Sequence, residues 1–523
     1  MDLHQIKRLY HTLKHLKFTQ VYHQIKYRLV KPKRVATPWD GAFAQVDLAD
    51  FPKKQKSLSN SDGVWSFSFL NLEQSFSYDS IDWSFGNYGM LWTYNLNYFD
   101  WLHQPDISKE DGLETLSQFY SNPAEKNPII LHPYPTSLRI INTAKFISKW
   151  NITEEWLYYE LVSDLKFLSS RLEYHLLANH LLENAFALYI GGLITNQGEF
   201  IQKGKKLLVR ELKEQVLNDG MHYERSPMYH IIILERLLDA LNFAKANGDD
   251  LESTLKSYAE RMTGLAMHWE NLDRIPMMQD SAYDIALTVP EILKYSKSLL
   301  GDDYPSKSND LKHSGYRKMN SGSLRVFANA GSIGPVYQPA HAHSDELSFE
   351  LFYSGTPIIV DTGISTYEKN DIRFKERSSI SHNCVSLSYQ NLSDVWAGFR
   401  VGKRAIVESK SAPDFILATC KSNSILISRN FQVVSGGLLV EDNIENNTGL
   451  PALGCLHLHP DIDFEMLDSN NFKVSELMIS ISADSSDVWI EDYTYCKGYN
   501  NRVPSKKLVY SLKNHAKIEF RKA

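Results

Sequence analysis

Cysteine is scarce in this chain. Cys384, Cys420, Cys455 and Cys496 all lie in the C-terminal part, and none stands in a Cys-x-x-Cys pair. This pattern offers neither a thiolate zinc module nor a disulfide framework, so scattered free thiols are expected. Long apolar runs are also missing, and no stretch reaches the roughly 20 residues that cross a bilayer. The N-terminus, Met1-Asp2-Leu3-His4-Gln5-Ile6-Lys7-Arg8, has neither the apolar segment nor the small-residue cleavage site of a signal peptide, so a cytosolic location is expected. Positive charge is not in excess: a net charge of −6 speaks against a nucleic-acid binder. No fixed-period repeat supports a solenoid.

With 523 residues the chain is too long for one compact core, and two or three domains are expected. Residues 1–34 carry nine Lys or Arg and one acidic residue. Leu9, Leu13 and Leu16 share a helix face, and Ile25 and Leu29 repeat the spacing. One reading is a surface helix making weak contact with anionic lipid or glycan. The plainer and preferred one is a helix packed on the body with a solvated basic face. Residues 35–75 read as polar and irregular, broken by Pro38 and Pro52 after Pro32. Residues 83–101 are dense in aromatics, among them Trp83, Trp92, Tyr94, Tyr98 and Trp101. Such rings stack on sugars, but they also fill cores, and most are assigned to the core.

From about 135 to 300 the apolar residues recur at three- and four-residue steps, predicting helices over 155–172, 180–194, 199–216, 230–247, 251–270 and 282–299. Gly191-Gly192, Asn218-Asp219-Gly220 and Asn247-Gly248-Asp249 are read as punctuation between them. Short connections imply antiparallel helix pairs. Residues 301–322 read as a linker. Beyond it the period changes to two, as in Leu324, Val326 and Ala328, and later over 424–434 and 437–444. About 200 residues of this kind predict an antiparallel sandwich.

Three segments carry chemistry. His341-Ala342-His343, Asp361-Thr362-Gly363 and His382-Asn383 end strand-like stretches. His343, Asp361 and His382 would suit zinc if they converge, with His341 left over. The alternative is a plain turn with surface histidines. In Asn179-His180-Leu181-Leu182-Glu183, the His and Glu lie three apart on a helix, with Asn179 a good N-cap. In Asp219-Gly220-Met221-His222-Tyr223-Glu224-Arg225-Ser226-Pro227-Met228-Tyr229-His230, a loop opens onto a helix. A Tyr229 beside Arg225 would have its pKa lowered from about 10; the plainer reading is a buried, hydrogen-bonded tyrosine.

Together the segments resemble the heparinase II/III-like polysaccharide lyases, including the related alginate lyases. The matching motifs are Asn179-His180-x-x-Glu183, Asp219-Gly220 with Arg225-Ser226-Pro227-x-Tyr229-His230, His341-x-His343-x-Asp345, Val360-Asp361-x-Gly363, and Arg377-Ser378-x-x-x-His382-Asn383, in the family's order. The resemblance implies a multidomain α + β chain: an N-terminal segment over 1–75, an incomplete α/α toroid over 76–305, and an antiparallel β-sandwich over 320–523. It implies Tyr229 as catalytic acid or base, with His341 across the sugar. Asn179 and His180 would neutralise a uronate carboxylate, supported by Glu183, and Arg225, Tyr367 and Arg377 would complete the substrate site. A mainly structural zinc would sit on His343, Asp361 and His382. The implied reaction is β-elimination at a 4-linked uronic acid of an anionic polysaccharide or oligosaccharide. Competing readings are a zinc-dependent hydrolase with Glu346 as base, and a non-catalytic carbohydrate-binding protein of surface-polysaccharide synthesis.

Overall fold

The computed structural model describes residues 3–35, 41–61, 63–122, 126–308, 311–422, 425–485 and 487–523. Pro38 and the first residue of the strand expected at 424 lie outside them. The helices are α1 (Leu3–Leu13), α2 (Phe18–Leu29), α3 (Met90–Tyr98), α4 (Lys109–Tyr120), α5 (Pro133–Trp150), α6 (Glu155–Ser170), α7 (Ala178–Ile194), α8 (Gly198–Gln215), α9 (Pro227–Asn247), α10 (Glu252–Ala266), α11 (Val289–Leu300) and α12 (Asp371–Glu376).

Helices α3 to α11 form the toroid. α7 is its hub, packing against α5, α6, α8 and α9, and is buried along nearly its whole length. Gly191 and Gly192 lie inside α7 rather than after it. A Cβ on Gly191 would come within 2.7 Å of Ile140 and Leu165, and one on Gly192 within 2.7 Å of the Ile201 backbone. These glycines are there for close helix approach, not for a turn. The last predicted helix starts later than expected. Residues 282–288 are irregular, and α11 begins where Thr288 and Glu291 form a capping box. The region read as irregular before residue 75 holds a three-stranded antiparallel sheet, Leu58–Ser61, Val64–Phe69 and Leu72–Ser77. Its alternation in Val-Trp-Ser-Phe-Ser-Phe places Trp65, Phe67 and Phe69 in the toroid core. The aromatic segment is mainly core too: Trp83, Trp92, Phe99 and Trp101 are buried.

The sandwich begins at strand Tyr316–Ser321, slightly ahead of the expected boundary. One layer is an eight-stranded antiparallel sheet that includes Ile425–Val434, Gly437–Asn446 and His515–Lys522. Opposite it lie two four-stranded sheets joined by a bridge between Ile359 and Leu458. Phe349 of the second layer meets Phe431 and Phe520 of the first at 5.2 and 6.4 Å between ring centroids. The four cysteines are buried and unbonded.

The N-terminal segment is two helices rather than one, and it packs on the body as preferred. Arg8 of α1 pairs with Asp394 at 2.7 Å, and Tyr27 of α2 donates to the Leu172 carbonyl at 2.5 Å. The face it turns inward, however, is the polar one. No helix among the described residues is long and apolar enough to cross a membrane.

Candidate active site

The site forms where the first turns of α7 and α9 face loops of the sandwich. Ser226 caps α9 by accepting from the Tyr229 backbone, and Pro227 follows at the first helical position. This fixes Tyr229 in the first turn, half-buried, facing the other domain. His341, on the loop after strand Leu324–Asn329, lies against it with ring centroids 4.0 Å apart. The Tyr229 hydroxyl is 3.2 Å from that of Tyr367. Tyr229, His341 and Tyr367 are therefore together, as expected.

Behind His341 sits Asp280, a residue no motif marked. Its carboxylate is 2.8 Å from His341 Nδ1 and 2.8 Å from His343 Nε2, and it takes both Nη atoms of Arg373 at 2.5 and 2.7 Å. Burial opposes its charge, but the Arg373 guanidinium and the two imidazoles hold Asp280 well below the usual carboxylate range. An ionised carboxylate only accepts, so His341 carries its proton on Nδ1. Nε2 then presents its lone pair, 3.3 Å from Asn179 Nδ2, with Glu224 Oε2 at 3.6 Å. Burial raises the Tyr229 phenol well above its ordinary pKa. The lowering expected from Arg225 is absent because the Arg225 guanidinium points elsewhere. It donates to the Ser332 carbonyl beside Gly331 and Gly334 of the sandwich.

Asn179 and His180 open α7 but hold different partners. Asn179 is not the N-cap. That position is Leu177, and Leu177 and Ala178 both have positive φ, 62° and 53°. Glu224 clamps this strained turn, accepting from the Asn179 backbone at 3.2 Å and from its side-chain amide at 2.8 Å. His180 lies against the Tyr134 ring at 4.6 Å, with Nδ1 3.1 Å from Glu173. Burial works against its charge, but Glu173 prevails and its pKa is raised. Glu183 is buried one turn further on, and its carboxylate has no hydrogen-bond partner. Arg236 Nε stands 3.6 Å away, and burial pushes the Glu183 carboxyl up to about 7.

Arg377 is not brought to Tyr229. It is buried and donates to the Ala342 carbonyl at 3.2 and 2.7 Å, holding the backbone between His341 and His343. Arg373, four residues earlier, is the arginine that reaches the site. Glu346 is buried, and the Ser393 hydroxyl donates to its carboxylate.

The three expected metal ligands are near one another but arranged as hydrogen-bonding groups. His382 Nδ1 is 2.7 Å from Asp361 Oδ2, His343 Nε2 is occupied by Asp280, and the two imidazole rings are 5.2 Å apart. His343 Nδ1 and His382 Nε2 are buried without partners. Two imidazole nitrogens and a carboxylate are zinc donors by type. Among the described residues, however, no three His, Cys, Asp or Glu side chains are placed to hold a metal.

Comparison with known proteins covers both domains. The "Heparinase II/III N-terminus" family model matches residues 135–303, and the "Heparinase II/III-like, C-terminal" model matches 303–521. The chain is 25% identical over 296 residues to a heparin-sulfate lyase of Bacteroides thetaiotaomicron, covering 47% of this chain and 42% of that protein. It is 28% identical over 253 residues to FtsZ-localized protein C of Caulobacter vibrioides, covering 46% and 42%. The chain spans about half the length of the curated relatives it matches. A crystal structure of heparinase III superposes with a TM-score of 0.66 at 16% identity, covering 85% of this chain and 79% of that one, which establishes the shared fold.

Proposed function

The chain belongs to the heparinase II/III-like family, and from that premise we propose that it is a polysaccharide lyase cleaving a 4-linked uronate polymer by β-elimination. The observation that carries this reading is the Tyr229–His341 pair at 4.0 Å, with Asp280 fixing the imidazole from behind. The named lyase relatives act on heparin sulfate, so a glycosaminoglycan heads the substrate classes.

In the proposed reaction Asn179 releases His341 Nε2, which takes the C5 proton. The C–H electrons form the C4=C5 bond, the C4–O4 bond breaks, and Tyr229 delivers its phenolic proton to O4. Asp280 on one side of the new imidazolium and Glu224 on the other stabilise its charge. The raised phenol pKa keeps Tyr229 protonated and suited to the acid's role. The protons are then redistributed, His341 losing one and Tyr229 regaining one, with the Tyr367 hydroxyl within hydrogen-bond reach of Tyr229.

General base catalysis contributes only about 10²–10⁴ in rate, so the enolate-like dianion needs electrostatic help. His180 is suited to supply it, since Glu173 favours its cationic form. Asn179 is already engaged by Glu224 and His341. Its part is to place His341, and to meet the uronate only by releasing one of those bonds. Zinc on His343, Asp361 and His382 belongs to the same proposal, supported by the two buried unpartnered nitrogens. When bound it would brace the loops of the sandwich. Metal analysis of the purified protein should find about one zinc per chain; none, with full activity, ends that part.

Incubation with a panel of glycosaminoglycan, alginate and capsule-type uronate polymers tests the main reading. Elimination creates a C=C bond conjugated with the carboxylate, which absorbs in the ultraviolet. Chain shortening without absorbance would mean hydrolysis, and no shortening of any uronate polymer would remove the lyase assignment.

A further inference from the structure

A helix lying on a protein surface normally turns its apolar stripe to the body and its polar face to water. Helices α1 and α2 do the reverse. On α2, Gln20, His23 and Tyr27 face inward: Gln20 is buried, His23 meets Tyr174 at 4.8 Å between centroids, and Tyr27 donates to the Leu172 carbonyl. Phe18, Val21, Tyr22, Ile25 and Leu29, at helical spacing, face solvent, with Phe18 83% and Leu29 79% exposed. On α1, Arg8 and Thr12 bind Asp394 and the Val401 carbonyl, while Ile6, Tyr10 and Leu13 point outward, Tyr10 being 64% exposed. These two outward faces carry eight exposed large apolar residues, more than any other pair of consecutive helices or strands among the described residues.

Charge identifies what covers it. Residues 3–35 contain no Asp or Glu, and Lys7, Lys14, Lys26, Arg28, Lys31 and Lys33 are all exposed around the stripe. Aromatic and aliphatic groups flanked by cations, on helices too short to span, match the interface of a bilayer with anionic headgroups.

We propose that α1 and α2 form a docking platform for an anionic lipid surface. The apolar stripe enters the headgroup boundary and the lysines and Arg28 meet lipid phosphates. Helix α1 is held by Asp394 on the sandwich and α2 by Leu172 on the toroid, so docking sets the orientation of the whole molecule. The inference does not depend on lyase activity.

The test is sedimentation of the full chain with vesicles of phosphatidylcholine alone or mixed with phosphatidylglycerol. Binding should require phosphatidylglycerol and weaken with added salt. Removing two cations with Lys26→Ala and Arg28→Ala should lower partition about thirtyfold at low salt, on the order of fivefold per charge. Phe18→Ser, Ile25→Ser and Leu29→Ser together should abolish binding without moving the melting temperature, since these side chains face solvent. Absence of binding to phosphatidylglycerol vesicles overturns the proposal. So does a self-associated chain that the triple serine variant disperses while vesicle binding is nil.

Discussion

Asp280 offers the sharpest test of how the site works. Its carboxylate accepts from His341 Nδ1, His343 Nε2 and two Arg373 nitrogens, all within 2.8 Å. Asp280→Asn keeps the shape but has one acceptor oxygen and an NH₂ that can only donate. At least one imidazole must then turn its lone pair toward the amide. With the NH₂ toward His341 the proton moves to Nε2 and the base is lost; with it toward His343, His341 keeps its tautomer but loses the negative charge that stabilises its imidazolium. A carboxylate-to-amide change behind a catalytic histidine costs about 10⁴ in kcat through the wrong tautomer, and a loss of about 10³–10⁴ is expected here. KM should change little, because Asp280 is fully buried behind His341 and out of the substrate's reach. Stability should fall as well, since a buried guanidinium without its carboxylate costs about 3–5 kcal/mol. The assay is the initial rate of ultraviolet absorbance on the polymer found in the panel, run below the variant's melting transition. A folded Asp280→Asn protein with kcat within tenfold of the parent would refute His341 as an Asp280-held base.

Tyr229→Phe should lose nearly all turnover with an unchanged melting curve, because among the described residues the hydroxyl hydrogen-bonds to Tyr367 alone; near-native activity would remove Tyr229 from the mechanism. Glu183 has a folded pKa of about 7, above its unfolded value near 4.5, so its contribution to stability is complete below about 4.5 and is lost as pH rises through 7. Glu183→Gln should therefore gain on the parent by about 2.5 kcal/mol between pH 5 and pH 8; parallel stability curves for the two proteins would contradict a buried carboxyl whose pKa is raised to about 7. Arg377→Met should lower the melting temperature through lost bonds to the Ala342 carbonyl, a cost of about 2–4 kcal/mol, with KM within about threefold of the parent. A large rise in KM at unchanged stability would restore Arg377 to direct substrate contact.

Much of the fold was legible because periodicity reports which side of an element is buried. Three-and-four spacing marked the toroid helices, and period two marked strands such as Leu324–Asn329. The misreadings share a cause. The Gly191-Gly192 pair and the residues before α11 depend on what lies across from them. So does the outward apolar face of α2. The order and spacing of residues around Tyr229, His341 and His343 singled them out, whereas Asp280 stands in an irregular loop with no neighbouring signal. Glu224 lay within a recognised segment, but its role as the clamp on Asn179 rests on a contact 45 residues away.

By itself the sequence determined the order of domains, the family, and which titratable groups were candidates, because these follow from local pattern and from the spacing of motifs along the chain. Only the tertiary structure decided which partners those groups have. It buried the Tyr229 phenol and so raised its pKa instead of lowering it. It turned Arg225 to a sandwich loop and Arg377 to a backbone carbonyl, and it brought Asp280 and Arg373 behind the two histidines. Protonation state and tautomer depend on burial and on charges within a few ångströms, and in this protein those charges come from segments distant in the chain.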